Sequence, residues 1–473
     1  MTEPEILKKI GAIADKKQIG VWAVGGFVRD KLLNKTVKDI DFVVVGDAPR
    51  FAKSVAKALG SHDVITFPKF GTAMVNFEDY RLEFVTARRE SYFDNSRKPV
   101  VTQSDLDADL MRRDFTINCI AYGLNSYNFG VLYDPLDGQQ DLHAKIIRTP
   151  LDPVVTFKDD PLRIMRAIRF AAQLGFEIES KTFEALKQMR QRLEIVSQER
   201  ITDELKKIIM APRPSIGFYL LDEAQILEII FPELLSMKGV EQREGYHHKD
   251  AFHHTLMVLD NVAQVSDKFE LRFAALVHDI AKPVTKKFIP GTGWTFHGHD
   301  EIGARMLPKI CQRLRLPNAT MEYAQKLTRL HLRPIHLSEE GVTDSAMRRL
   351  LFQAGEHLED LLTLCRADIT SGNPQRVKQH LANFDHVVER LNEVEQKDRM
   401  RAFQPPVRGD EIMAVCGIPP GPLVGKLKSM IEEAILDAKI PNEHDAALQY
   451  LLEIKDEVLG TRDQESGIGD SNS

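Results

Sequence analysis

The chain has 473 residues, 43% hydrophobic and 28% charged, with a net charge of −6. These proportions exclude a disordered or fibrous chain and give a length prior of about three globular domains. No apolar run approaches the ~18 residues of a membrane span, and the acidic balance confines any nucleic-acid contact to a local basic surface.

The N-terminus, M-T-E-P-E-I-L-K-K-I, lacks a secretory apolar core and reads as a helix start. Cys119, Cys311, Cys365 and Cys416 are scattered, with no C-x-x-C pair, as expected of reduced thiols in the cytoplasm. Residues 1–19 carry Ile6, Ile10 and Ile13 at helical spacing. Val21–Val24 is a predicted strand. It is followed by a turn at Gly25 and Gly26, a short helix from Phe27, and a second strand over Asp39–Val45. Residues i and i+2 of a strand share a face, so Asp39 and Asp41 project together. Paired hard oxygen ligands suit Mg²⁺. Two such ions, about 3.5–4 Å apart, activate an attacking hydroxyl and stabilise a leaving phosphate oxygen. Gly25 and Gly26 let the backbone approach an anion, the helix start aims free N–H groups at it, and Arg29 adds fixed positive charge.

Ala48–Leu59 reads as a helix ended by Gly60, and Asp63–Phe67, Thr72–Phe77 and Arg81–Thr86 as short strands. Glu83 is either a third carboxylate near the metals or an edge-strand charge. Residues 88–104 are polar and rich in turn formers, and are expected to form a long mobile loop. In R-R-D-F-T-I-N, Arg112 and Arg113 supply planar donors for phosphate oxygens. Asp114 and Asn118, four apart, would share a helix face and could hold a ribose hydroxyl; the alternative is a surface charge cluster.

G-G-F-V-R-D followed by D-I-D resembles the nucleotidyltransferase superfamily with a polymerase-β-like palm. Within it the sequence is similar to the bacterial class II CCA-adding tRNA nucleotidyltransferases and poly(A) polymerases. R-R-D-F-T-I-N matches a motif that this family uses for ribose and phosphate contacts. In the family, a flexible loop at 88–104 helps the site switch to adding A.

From about residue 150 helical periodicity takes over. Asp159-Asp160-Pro161-Leu162-Arg163 opens a helix, with Arg163, Arg166 and Arg169 spaced by three. In one reading Asp160 only caps the helix and the arginines are a solvated face. In the other, Asp160 and Arg163 match the amine-and-acceptor edge that cytosine and adenine share and that uracil and guanine reverse. The stretch resembles the family's nucleotide-selecting E-D-x-x-R motif, with Asp159 in place of Glu. Ser197-Gln198-Glu199-Arg200 caps a helix over Ile201–Met210 in what resembles the family's neck, where Glu199 and Arg200 read as structural braces.

A second constellation is ordered H…H-D…H…H…D: His254, His278, Asp279, His299, His331 and Asp368. Imidazoles and carboxylates suit Zn, Mn, Fe, Ni or Mg. The pattern resembles the HD phosphohydrolase superfamily, which implies a second divalent metal and hydrolysis of phosphomonoesters or 2′,3′-cyclic phosphates. The alternative is a domain kept for its shape. Val377, Leu381, Phe384, Val388 and Leu391 mark a packed amphipathic helix. Residues from Gly460 onward have the composition of a disordered tail.

The expected fold class is α+β: a polymerase-β-like nucleotidyltransferase head with a mixed sheet, then an all-α remainder including an HD domain. The expected boundaries are 1–150 for the head, 151–245 for a helical RNA-binding neck, 246–372 for the HD domain, 373–460 for a helical tail and 461–473 for the disordered end. The resemblance implies a cytoplasmic, template-independent enzyme that builds or repairs the 3′-CCA of tRNA from CTP and ATP, releasing pyrophosphate. Its partners would be the tRNA acceptor end and the two nucleotides, with no membrane; the oligomeric state stays open. Alternatives are a poly(A) polymerase, an enzyme adding only part of CCA, or an HD phosphohydrolase whose head only binds nucleotide or RNA.

Overall fold

The computed structural model describes residues 1–93, 96–103, 105–241, 250–337, 343–370, 373–399 and 407–460. The chain divides into two compact units. One comprises Met1–Glu241, Tyr246–Arg272 and Lys309–Pro317; the other comprises Gln242–Gly245, Phe273–Pro308 and Asn318–Ser473.

In the first unit α1 (Glu3–Lys16) starts with a capping box, in which the Thr2 N–H donates to Glu5 at 2.7 Å. Then come β1 (Gly20–Val24), α2 (Gly26–Leu32), β2 (Asp39–Val45) and α3 (Ala48–Leu59). Asp47 caps α3 by accepting from the Arg50 N–H at 2.9 Å, and the helix stops at Gly60 in the left-handed region. β3 (Val64–Phe67), β4 (Thr72–Phe77) and β5 (Tyr80–Thr86) follow. The stretch expected to be a mobile loop instead pairs as an antiparallel ribbon, β6 (Arg88–Phe93) with β7 (Ser96–Gln103). Such a ribbon is held by backbone groups, so a polar composition carries little sign of it.

After α4 (Leu106–Met111), β8 (Ala121–Gly123) and β9 (Leu132–Tyr133) complete a seven-stranded sheet of order β3-β4-β5-β2-β1-β8-β9. Only β2 and β5 run parallel; the other neighbours are antiparallel. Ile40, Phe42 and Val44 of β2 bury completely against Ile6, Ile10, Phe51, Val55 and Phe84. The Phe42 and Phe84 rings stack at 4.8 Å, and Phe51 meets Phe84 edge-on at 5.7 Å. Period-2 alternation then turns Asp39 and Asp41 to the opposite face.

The rest of this unit is helical: α5 (Gly138–Ala144), α6 (Pro153–Asp159), α7 (Leu162–Leu174), α8 (Ser180–Met189) and α9 (Gln198–Ile209), with a short parallel pair β10 (Ile146–Ile147) and β11 (Glu177–Ile178). The second unit is also mainly helical, with one hairpin, β12 (Lys287–Ile289) and β13 (Gly293–Thr295). The helix Pro374–Arg399 buries Phe384, Val387, Leu391 and Val394. Its stripe thus passes through Val387, where the sequence suggested Val388. The helices Gly409–Cys416, Pro422–Leu436 and His444–Gly460 share a core of Leu427, Ile431, Leu451 and Ile454. The expected disordered end, 461–473, lies outside the described residues. Among these, no helix is long and apolar enough to cross a membrane.

Phe42→Ala should destabilise the head by about 3–5 kcal/mol, since the fully buried ring leaves a cavity. Asp39→Ala, on the exposed face, should stay within about 0.5 kcal/mol of wild type. Denaturant unfolding of the two variants checks the contrast.

Candidate active site

The parallel ladder sets Asp39 beside Arg81 and Asp41 beside Glu83. Opposite residues of neighbouring strands share a face, so three carboxylates stand together on it. β5 lies between β4 and β2, so Glu83 is not an edge-strand charge. Burial pushes the Asp41 carboxyl up; Arg113 opposes this and Asp39 reinforces it. Glu83 is raised by burial and then by Asp41. Crowded hard oxygens that resist ionising together are a donor set that a divalent cation would relieve.

Gly25 has φ +70, and a β-carbon there would lie 3.1 Å from Arg113 Nη1 and 3.4 Å from Asp41 Oδ2. The glycine therefore lets this backbone pass between a cationic and an acidic group. α2 has only seven residues, so most of the positive character here comes from arginines.

Those arginines are held by a residue that the motif reading missed. Asp109, 0% exposed, accepts from Arg112 Nη2 at 2.6 Å through one oxygen and from Arg113 Nη2 at 2.9 Å through the other. Its spacing of three and four residues was the available signal. Burial raises the Asp109 carboxyl, but Arg113 and Arg112 outweigh it and hold it low.

Asp114 accepts from Asn118 Nδ2 at 2.9 Å and from Arg166 Nε at 2.7 Å. A 3₁₀ turn over Thr116–Asn118, not the α-helix suggested by the spacing, brings Asp114 and Asn118 together. Burial works against ionisation of Asp114, yet Arg166 and Asn118 hold it well below the usual carboxylate range. Asn118 Oδ1 accepts from Arg29 Nη1 at 2.9 Å, and Arg29 also grips Asp30 at 2.8 Å. The Arg29 guanidinium, expected to face phosphate, is thus engaged internally. Arg29, Arg166 and Arg169 all lie over the Phe170 ring, at 5.0, 5.6 and 4.2 Å. Arg169 also pairs with buried Glu204 at 3.0 Å. The arginines of α7 are therefore packed and paired rather than a solvated face.

Arg163 donates to the carbonyl oxygens of Arg112 and Thr156. Asp160 accepts from the N–H of Leu162, the first residue of α7, at 3.2 Å and from Arg200 Nη2 at 3.4 Å. Arg200, read as a remote brace, touches the carboxylate that the sequence assigned to base selection.

In the second unit Asp279 Oδ1 lies 3.2 Å from His299 Nε2 and 3.8 Å from His331 Nε2, and the two Nε2 atoms are 3.3 Å apart. Each ring directs Nδ1 to a backbone carbonyl: His299 to Phe296 at 2.8 Å and His331 to Thr328 at 2.6 Å. The proton therefore sits on Nδ1, and two Nε2 lone pairs and a carboxylate oxygen face one another. That is a ligand set, and the carbonyls supply its outer support. Burial and the neighbouring His278 lower His331 to about 4, keeping it neutral. His278 Nε2 is 3.1 Å from Asp279 and 3.5 Å from Asp368. Burial pulls His278 down, but those two carboxylates prevail and push it up to about 10. A proton there balances negative charge that a divalent ion could balance instead. His254 stands half-buried on the helix Ala251–Ala263 of the first unit.

Three family descriptions match the chain. They are the poly A polymerase head domain over residues 21–148, the probable RNA and SrmB-binding site of polymerase A over 175–238, and the HD domain over 251–372. A multifunctional CCA protein of Pasteurella multocida (strain Pm70) is 34% identical over 363 residues, covering 74% of this chain and 83% of its own length. A solved tRNA nucleotidyltransferase complexed with a primer tRNA and an incoming ATP analog is 26% identical, with a TM-score of 0.60, over 82% of this chain and 99% of that one. The CCA-adding enzyme of Bacillus stearothermophilus in complex with CTP shares the fold, with a TM-score of 0.68 over 98% of this chain and 100% of that one at 23% identity.

Asp109→Asn removes the charge between two arginines and should cost about 3 kcal/mol of stability. It should also raise the KM for nucleoside triphosphate more than it lowers kcat; steady-state kinetics beside a thermal melt check both. Because the folded Asp114 carboxyl is depressed, its stabilisation is present above about pH 4 and is lost as pH falls below that. Asp114→Asn should therefore be less stable than wild type at pH 7, and should lose less stability between pH 5 and 2 in an acid-unfolding series.

Proposed function

Because the chain belongs to the family of the multifunctional CCA proteins, nucleotidyltransferases with a poly(A) polymerase head, we propose that it is a template-independent tRNA nucleotidyltransferase. It adds or repairs the 3′-terminal CCA from CTP and ATP, in the cytoplasm. The observation that carries this reading is the face shared by Asp39, Asp41 and Glu83 beside Arg113 and Gly25. The names and bound partners of the relatives support the choice of tRNA, CTP and ATP.

The 3′-hydroxyl of tRNA attacks the α-phosphate of the nucleotide, and pyrophosphate leaves. Magnesium, held by Asp39 and Asp41, would supply charge neutralisation to the attacking and leaving oxygens. Arg112 and Arg113, fixed by Asp109, bind the triphosphate oxygens. Asp114, anchored by Arg166 and Asn118, receives the ribose hydroxyl; Arg29 acts through Asn118. Asp160 and Arg163 read the base, so Arg200 must release Asp160 when a nucleotide enters. The chain is organised as a head over 1–150, a neck over 151–245, an HD domain over 246–372 and a helical tail over 373–460. The HD domain is a metal-dependent phosphohydrolase, with Asp279, His299 and His331 as ligands and His278 and Asp368 beside them.

Transcripts lacking CCA, CA or only A, each given single nucleotides, test the reading. CMP should enter the transcripts lacking CCA or CA, AMP should enter only the one lacking A, and UMP and GMP should enter none. A poly(A) polymerase would add AMP to all three. Asp41→Asn should lower incorporation by about a hundredfold or more. Asp279→Ala should leave incorporation unchanged while abolishing phosphate-ester hydrolysis.

A further inference from the structure

Between the ligands Asp279 and His299 the chain makes a detour through β12 and β13. The base of this hairpin is tied to the metal-ligating cluster. Lys282 Nζ pairs with Asp279 Oδ2 at 2.5 Å and lies 5.8 Å from the Phe296 ring centre, and the Phe296 carbonyl accepts from His299 Nδ1. Thr295 is buried and its hydroxyl donates to the Lys287 carbonyl at 3.1 Å, closing the ribbon. Phe288 and Trp294 are directly opposite one another and one residue out of phase with Thr295, so they face the other way. Trp294 is two residues from Phe296, about 7 Å along an extended chain.

This outward face does not pack a core. Phe288 is 49% exposed. Trp294 meets Phe288 edge-on at 5.2 Å, and Lys286 Nζ lies 4.1 Å over the Trp294 ring. A two-stranded ribbon is marginal by itself, so an exposed aromatic face on one adds little to stability. Aromatic rings set beside a lysine, next to a cluster suited to phosphate esters, are the elements that hold single-stranded nucleic acid: stacking for the base and a cation for the backbone.

We propose that the β12–β13 hairpin is the base-binding lip of the second site. Trp294 and Phe288 stack on the nucleobase of a free nucleotide or an RNA end whose phosphate ester lies at Asp279, His299 and His331. Lys286 neutralises the adjoining phosphate. The inference rests on the hydrolase reading of that site and adds the side chains that hold the base.

The chain has two tryptophans, Trp22 and Trp294, so in the Trp22→Phe variant emission reports the hairpin alone. The probes are adenosine 3′-monophosphate, an RNA trinucleotide with a 3′-phosphate, and inorganic phosphate, each with magnesium. Both nucleotidic probes should quench the emission saturably and inorganic phosphate should not; tighter binding of the trinucleotide identifies an RNA end as the source. Phe288→Ala should weaken both nucleotidic probes by about tenfold while release of phosphate from glycerol 2-phosphate stays unchanged. If Trp22→Phe fails to fold, the difference between wild-type and Trp294→Phe emission gives the same reading. Absence of quenching, or an equal loss on glycerol 2-phosphate, overturns the lip. A wild-type chain that hydrolyses no phosphate ester overturns the hydrolase reading instead, and the quench then reports base binding by itself.

Discussion

The head depends on the pairing of β2 with β5 in one register. Ile40, Phe42 and Val44 are fully buried, and Phe42 stacks on Phe84 of the neighbouring strand. Sliding β2 by one residue would expose all three and bury Asp39 and Asp41. Burial of one such side chain contributes roughly 1.5–3 kcal/mol. Three such side chains depend on this register, so the core dictates where the acids stand, and burial there raises the Asp41 and Glu83 carboxyls. A cation arriving there meets a site whose geometry hydrophobic packing has already fixed.

The second constraint is ionic. The segment from Asp109 to Asn118 carries two carboxylates that between them hold Arg112, Arg113 and Arg166, and Asn118 adds Arg29. Buried ion pairs contribute little net stability, because desolvation offsets the attraction. What they give is position: a guanidinium gripped at one edge by Asp109 has fewer ways to present the other. Phe170 gathers Arg29, Arg166 and Arg169 at one ring, and Phe115 meets the same ring edge-on at 5.8 Å. Phe170 of α7 thereby meets side chains of both α2 and the 109–118 segment.

Much of this was legible in the chain and some was not, for separable reasons. β2, α3 and its Gly60 stop follow local rules of alternation and capping, and they appear with the predicted bounds. The aspartate pair on β2 follows from period 2 alone. Asp109 escaped notice because, like Asp107 in the same six-residue helix, it reads as surface charge until its burial is known. The β6–β7 ribbon escaped because its polar residues carry no inside-and-outside pattern. Arg200 escaped because its partner Asp160 is 40 residues away, and local spacing cannot reveal such a contact. Glu83 was left between two readings until sheet order made β5 an interior strand.

The two clusters differ in donor chemistry, and that difference separates their work. The head offers carboxylate oxygens only, from Asp39, Asp41 and Glu83, a set suited to a hard ion that keeps several waters or phosphate oxygens of its own. The second cluster offers two imidazole nitrogens and one carboxylate, with the tautomers fixed by the carbonyls of Phe296 and Thr328. Nitrogen donors favour borderline ions that bind water tightly and acidify it. An ion bridging substrate phosphates promotes attack by the hydroxyl that the substrate supplies, whereas an ion that acidifies its own water promotes hydrolysis. On the proposed reading the oxygen set serves phosphodiester formation and the mixed set serves phosphate-ester hydrolysis. Asp39, Asp41 and Glu83 stand on β2 and β5 of the first unit, whereas Asp279, His299 and His331 belong to the second, so neither donor set contains the other's residues.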